Sequence, residues 1–383
     1  MTSDVNYDER SCEDQTHQWH VIRNEVFVAS KPDPSGVLAG HGASRLAEVD
    51  VDAYNAELSD EDGFVGDRAS GLAFRELLQA SRDQLRTVDE DPMGKVSSFD
   101  ISKKQLDRLL VKGDVEAAGL VLGAIEQFAV ELAEVIRRFT RLKAWKDTER
   151  IVIGGGLRAS RIGELAVGRA AVLLKAMDLP IGLVPIRHDP DEARLLGGVH
   201  LALSWMFSGH EGVLTADIGG SNIRVGVVEV CVRKSGDLSR SKVVLTELWR
   251  HADDGPDREE AVERLVAMLR TMIKRADREK MRLAPFIGIG CPGRINENGS
   301  IVKGSQNLPG DWEHESFNLP ALLTAAIPNI EGHETACVMH NDAVVQGLSE
   351  VPFMSDVTRW GVMTMGTGLG NARFTNRKIG AAG

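Results

Sequence analysis

The sequence predicts an α/β protein of two lobes, with helices packed on the faces of mixed sheets. Two observations carry that expectation. Apolar strands alternate with helical segments along most of the 383 residues, the pattern left by crossover helices lying on a sheet. Twice, a strand, a glycine turn and a second strand come one after another, within Val213–Val232 and within Trp360–Thr375. These units add antiparallel hairpins. A chain of this length can bury a large core.

The first elements are sparse. Residues 1–66 are rich in Gly, Asp, Ser and Pro and read as loop or an added flap, apart from a strand-like stretch at Val21–Ala29. No pair of short helices joined by a turn stands here, so a helix-turn-helix reader is not supported. From Ala69 onward the pattern turns helical. Ser102–Leu110 is a short helix and Asp114–Leu142 a long one, with Ala118, Val121, Ile125, Phe128, Leu132, Val135 and Phe139 on one face. Arg150–Ile153 is a buried strand ending in Gly154-Gly155-Gly156. A helix at Ile162–Met177, a strand at Gly182–Ile186 and an apolar helix at Ala193–Met206 come next, the last running almost directly into a strand.

The second half alternates cleanly. Strands are expected at Val213–Asp217, Ile223–Val232, Phe286–Gly290, Ala336–His340, Trp360–Met365 and Ala372–Thr375, with helices at Glu259–Met281 and Ala343–Ser349.

Composition narrows the function. Apolar residues make up 43% and charged residues 26% of the chain, the balance of a soluble globular protein. The net charge of −11 repels phosphate backbones, so broad nucleic-acid binding is not expected. No apolar run approaches the ~20 residues that span a bilayer, and the acidic start MTSDVNYDERSCEDQ lacks signal-peptide character. A cytoplasmic protein is expected. Cys12, Cys231, Cys291 and Cys337 form no CxxC or CxC pair, which removes zinc knuckles and redox motifs. The last three lie in apolar segments and read as reduced, buried thiols.

The motif richest in chemistry is Asp217-Ile-Gly219-Gly220-Ser221-Asn222, where an apolar strand ends in a carboxylate and a glycine turn reverses it. Glycines let backbone N–H groups approach a polyphosphate, the Ser221 hydroxyl adds a hydrogen bond, and Asp217 is placed to hold a hydrated Mg²⁺. The alternative is an ordinary tight hairpin. Gly366-Thr367-Gly368-Leu369-Gly370 is a second turn of this kind, with the same alternative. Gly154-Gly155-Gly156 suits close approach by adenine beside a helix N-terminus, or is a simple helix entry. Asp342, in His340-Asn341-Asp342, is a candidate general base for a sugar hydroxyl or a helix cap, with Asn341 as a sugar ligand. The loops bearing Pro292-Gly293 and Asn307-Leu308-Pro309-Gly310-Asp311-Trp312 suit a polyol, Asn307 above all.

Together these segments resemble the ROK family of sugar kinases and transcriptional regulators, within the actin/hexokinase-like superfamily. Asp217–Gly226 matches the phosphate motif, with Ser221 in place of Thr. Gly288–Gly293 matches the PG loop, Asn307–Trp312 the NLPGW-type segment with Asp311 inserted, His340–Asp342 the catalytic segment, and Gly366–Gly370 the second phosphate motif. Ile379–Gly383 resembles the glycine-rich segment beyond it. Segments that come late in the family stand at the front of this chain: Lys112-Gly113-Asp114 with its long helix, Ile151–Gly156, and Asp191–Leu203 as the final helix.

The resemblance covers roughly residues 69–383 and implies a two-lobed actin-like ATPase (ribonuclease H-like) fold, circularly permuted. Residues 1–66 are then an atypical segment, 67–192 the large lobe, 193–342 the small lobe, and 343–383 a return to the large lobe. Two departures stand out. The zinc motif CxCGxxGC is absent, and the Glu-x-Gly-His sugar motif falls at the cut, where His20 is either a candidate replacement or, the reading favoured, an ordinary surface histidine. Asn371-Ala-Arg373 also interrupts the small residues usual after the second phosphate motif.

The resemblance implies transfer of a phosphoryl group from Mg·ATP to a hydroxyl of a hexose or amino-hexose. Asp217 and the two turns would hold the phosphates and Asp342 would take the proton. Members of the family often dimerise. The alternative is a non-catalytic sugar sensor or scaffold.

Overall fold

The computed structural model describes residues 38–61, 63–156, 160–231, 237–366 and 368–377. Val21–Ala29, His20, Cys12, Thr367 and Ile379–Gly383 lie outside them.

Among the described residues, ten strands form two five-stranded mixed sheets. The first sheet contains β1 (Val49–Tyr54), β2 (Arg150–Gly154), β3 (Gly182–Pro185), β9 (Arg359–Met365) and β10 (Leu369–Asn376), in the order β1-β10-β9-β2-β3. The second contains β4 (Gly212–Ile218), β5 (Ile223–Glu229), β6 (Lys242–Trp249), β7 (Leu283–Cys291) and β8 (Ala336–Asn341), in the order β6-β5-β4-β7-β8. The pairing senses match as well as the order. From one edge each sheet runs through two antiparallel junctions and then two parallel ones.

The central strand β4 is buried along its whole length, as expected for a continuous apolar run covered on both faces. Helices supply the cover. On the first sheet's side lie α1 (Gly71–Leu85), α2 (Lys103–Lys112), α3 (Val115–Phe139) and α4 (Arg161–Ala176), with α1 and α2 packed on α3. Ser102 and Gln105 form a reciprocal capping box that starts α2, and Asp114 caps α3 through the Glu116 and Ala117 N–H groups. The helix α6 (Arg258–Arg278) covers the second sheet.

Two further helices lie between the sheets. These are α5 (Pro190–Val199), which comes after β3, and α7 (Asp342–Leu348), which comes after β8. Each packs on the other sheet, α5 on β4 and β7, α7 on β9 and β10, and they pack on one another. Gly197 permits this approach, since a Cβ there would lie 1.6 Å from the Val345 carbonyl oxygen.

The structure departs from the sequence expectation in several places. Val49–Tyr54, within the segment read as loop, is the edge strand β1, tied to β10 with Val49 opposite Asn376. Its Val-Asp-Val-Asp alternation matches a burial that alternates with it. The edge strand β6 has no counterpart in the sequence reading, because only one of its eight residues is fully buried. The helix expected to reach Met206 stops at Val199, and a short 3₁₀ turn at Ser204–Phe207 precedes β4. Of the thiols, Cys291 is buried, while Cys231 and Cys337 are half-buried.

Candidate active site

Asp217 ends the buried strand β4 and is only 4% exposed. Across the hairpin it stands opposite Arg224 on β5, whose Nη1 lies 3.6 Å from Asp217 Oδ2. A second guanidinium reaches it from α5: Arg194 Nη1 is 3.4 Å from Asp217 Oδ1. The same Arg194 extends Nη2 to within 3.8 Å of Asp342 Oδ2. Two carboxylates from different elements thus share one guanidinium where α5 and α7 pack between the sheets. Burial raises the Asp217 pKa above the usual carboxylate value, and Asp342 adds to this, while Arg194 and Arg224 oppose it. Burial works against the charge on Arg194, but Asp217 and Asp342 outweigh it and raise its pKa.

Asp342 is the first residue of α7, but its neighbour makes the cap. Asn341 Oδ1 accepts from the Ala343 and Val344 N–H groups, and its Nδ2 donates to the Gly293 carbonyl at 3.0 Å. Asn341 is fully buried, so the side chain expected to bind sugar is engaged in holding the helix start against the Pro292-Gly293 loop. Asp342 Oδ1 accepts from the Asn341 Nδ2 and the Ala343 N–H, which leaves Oδ2 facing Arg194. His340 accepts the Asn341 N–H on Nδ1 and donates from Nε2 to the Ala43 carbonyl. Burial lowers its pKa to about 4, consistent with a neutral ring.

The Gly219–Ser221 turn lies beside the Asn307 loop: a Cβ on Gly220 would stand 2.8 Å from the Asn307 Cβ. Asn307 and Ser221 are exposed, and Asn222 is half-buried. The turn is braced from below by His251, whose Nε2 lies 2.8 Å from the Gly219 carbonyl. Trp312 is buried and donates its indole N–H to the Pro309 carbonyl. That bond fixes the loop which presents Asn307.

On the first sheet, Gly155 has φ +91° and a Cβ there would collide with the Met365 backbone, so its packing alone demands glycine. The Gly156 carbonyl accepts from Lys103 Nζ at 2.6 Å. The nearby start of α4 is occupied, because the Asp107 carboxylate accepts from the Arg161 and Ile162 N–H groups. The helix N-terminus expected beside adenine is therefore not open to an anion. Gly366 accepts the Gly71 N–H on its carbonyl and donates its own N–H to Gly368. Asn371 and Arg373, which break the small-residue pattern, point to structure. Asn371 bonds both polar groups of Ala56, and Arg373 is buried against Asp52, Thr148 and the Lys146 carbonyl.

The sequence places Mg²⁺ on Asp217. Each of its carboxylate oxygens already faces a guanidinium. Among the described residues, no three His, Cys, Asp or Glu side chains are grouped to share a metal ion. A cation bound directly by Asp217 would have to displace these guanidinium groups, whereas a hydrated Mg²⁺ would be held through its waters and the substrate phosphates.

No protein-family model matches the chain. It is 28% identical over 166 residues to the glucokinase of Thermotoga maritima, which is 43% of this chain and 44% of that protein. The chain thus spans less than half the length of the curated relative it matches. Among solved structures, it is similar to a Listeria monocytogenes protein assigned as an N-acetylmannosamine kinase, at 24% identity and a TM-score of 0.31, covering 43% of this chain and 47% of that one. A protein of Cytophaga hutchinsonii assigned as a sugar kinase gives 19% identity and a TM-score of 0.33, covering 45% and 50%.

Arg194 and Arg224 are the site residues that sequence reasoning misses. Arg224 is legible as the register partner of Asp217 once the hairpin is drawn. Arg194, inside Glu-Ala-Arg-Leu-Leu-Gly-Gly, carries one signal: the glycine pair that lets α5 sink between the sheets.

Proposed function

We propose that this chain transfers the terminal phosphoryl group of ATP to a hydroxyl of a hexose or amino-hexose, as a ROK-like sugar kinase of the actin-like fold. The observation that carries the reading is Asp342. Its Oδ2 faces Arg194, which also faces the Asp217 carboxylate before the glycine turn, and among the described residues Arg194 is its one ion-pair partner. A carboxylate beside a phosphate-binding turn can take the acceptor's proton during in-line attack. The glucokinase relative supports a sugar as acceptor.

In this reading Asn307 binds the sugar, with Pro292 and Gly293 shaping its pocket and Asn341 positioning Asp342. Gly219, Gly220, Ser221 and Asn222 approach the phosphates from one side, and Gly366, Thr367 and Gly368 from the other. Gly154, Gly155 and Gly156 line the nucleoside side. No step is assigned to a protein-bound metal.

The permuted order belongs to the same proposal. In the second sheet the second and third strands, β5 and β6, are consecutive in the chain. Their counterparts in the first sheet, β10 and β1, are the last and first of the described strands, yet they pair side by side. A re-ordered chain, with Asn376 joined to Val49 through a short loop and opened between Phe207 and Gly212, is expected to fold to the same structure. An aggregated or unfolded product would count against the permutation.

The kinase reading is tested by measuring ADP release over a panel of hexoses and amino-hexoses. Stimulation by at least one sugar is expected, with the phosphorylated product identified by mass spectrometry. ATP consumption that no sugar stimulates would sink the reading.

A further inference from the structure

Arg194 has no role in the chemistry assigned so far, yet it stands between the Asp217 and Asp342 carboxylates. It comes from the middle of α5, a helix that reaches the second sheet because Gly197 and Gly198 let it approach α7 and β7 closely. Its two terminal nitrogens face Asp217 at 3.4 Å and Asp342 at 3.8 Å. A charge-assisted N–H···O bond is about 2.7–2.9 Å long, so the guanidinium is held near both carboxylates and locked to neither. Its Nε–H is buried without a hydrogen-bond partner among the described residues. An unsatisfied donor of this kind is costly to keep, and a packing role does not account for it.

Arg224 differs from Arg194, because it is tied more closely to Asp191, at 3.1 Å, than to Asp217. Arg194 is therefore the guanidinium at this site with no short ion pair of its own.

We propose that Arg194 binds the transferring phosphoryl group, supplying positive charge to it from α5. The proposal rests on the phosphotransferase reading above. In the step it serves, the acceptor hydroxyl oxygen bonds to the terminal phosphorus, and the bond from that phosphorus to the bridging oxygen breaks. The electron pair stays on ADP, and the hydroxyl proton passes to Asp342 Oδ2. Arg194 donates to the equatorial oxygens, where charge must be stabilised during transfer. The loose contacts to Asp217 and Asp342 let the guanidinium turn toward that group without breaking short ion pairs.

Two measurements on the full chain decide the matter, using Arg194→Met, Arg194→Lys and Arg194→Ala with melting temperature as the folding control. The first needs no turnover: calorimetric binding of inorganic tripolyphosphate in EDTA. Wild type binds, Arg194→Met binds about tenfold more weakly or worse, and Arg194→Lys lies between. Equal affinity in wild type and Arg194→Met, or no binding by wild type, overturns the proposal. The second records sugar-dependent ADP release. Arg194→Met lowers kcat by about 10²–10³-fold with little change in KM for sugar, and added guanidinium restores part of the turnover of Arg194→Ala. A faster Arg194→Met would make the side chain a plug and overturn the proposal. A wild type that binds tripolyphosphate through Arg194 but phosphorylates no sugar sinks the kinase reading and leaves the anion site standing.

Discussion

The two sheets share one strand order and one pattern of directions, but they use their polar residues for opposite ends. In the second sheet, the end of the central strand carries Asp217, with Arg224 opposite and Arg194 above it. In the first, the central strand β9 ends at the apolar Met365, opposite Leu369. Its polar residues lie farther back along β10: Asn371, Arg373 and Asn376 bond the segment around β1 and the loop before β9. One sheet therefore spends its buried charge on the candidate site and the other on holding together strands far apart in the chain. A shared topology fixes where a site can form, and the residues at the strand ends decide which copy carries it.

Substitutions can break this contrast. The largest effect is expected from Asp342→Asn, which removes the proton acceptor while keeping the shape of α7. Turnover should fall by about 10²–10⁴-fold, with sugar binding and melting temperature little changed. A variant retaining more than a tenth of wild-type kcat would remove Asp342 from the mechanism.

Next comes Gly197→Ala, which acts on the contact the two halves share. The added methyl would meet the Val345 carbonyl, a backbone group that cannot turn aside. A loss of about 3 kcal/mol or more is expected in urea unfolding. A neutral result would mean that α5 and α7 separate freely.

Acid should act through the second sheet's end. His340 is fully buried and neutral, with a pKa of about 4 when folded against ~6.5 when unfolded. Between those values the unfolded chain binds the extra proton, so stability falls as pH drops through that window, by on the order of 3 kcal/mol at most. The slope should shrink in His340→Gln; an unchanged slope would assign the acid sensitivity to other groups.

The smallest of the four is Arg373→Met, which unties β1 from β10. Arg373 is buried, its partner Asp52 is partly exposed, and a loss of about 2 kcal/mol is expected. Sugar-dependent turnover at low temperature should stay close to wild type. A loss of turnover without a loss of stability would contradict the division between the two sheets.

Much of this is legible in the sequence because long apolar runs end at glycine or carboxylate. Strands β4, β7, β8 and β9, and helices α3, α4 and α6, stand close to where periodicity puts them. Asp217 and Asp342 stand at strand ends for the same reason. What escapes depends on contacts between distant residues. Arg194 reads as one charge on an apolar helix until α5 is seen packed between two sheets. Asn341 and Asp342 are equally good caps on paper, and only the Gly293 carbonyl and the Arg194 guanidinium separate their roles. The strand β1 is hidden by a Gly- and Asp-rich setting, although its alternation is regular.

The pairing of Val49 with Asn376 sets a timetable for synthesis. As the chain leaves the ribosome, β1, β2 and β3 appear early but lack β9 and β10, the strands that stand between β1 and β2 in the sheet. The second sheet emerges whole within residues 212–341 and can close first. Helices α1 to α4 must then wait with their apolar faces uncovered until the last strands arrive, so late folding and exposure to aggregation concentrate in the lobe made first.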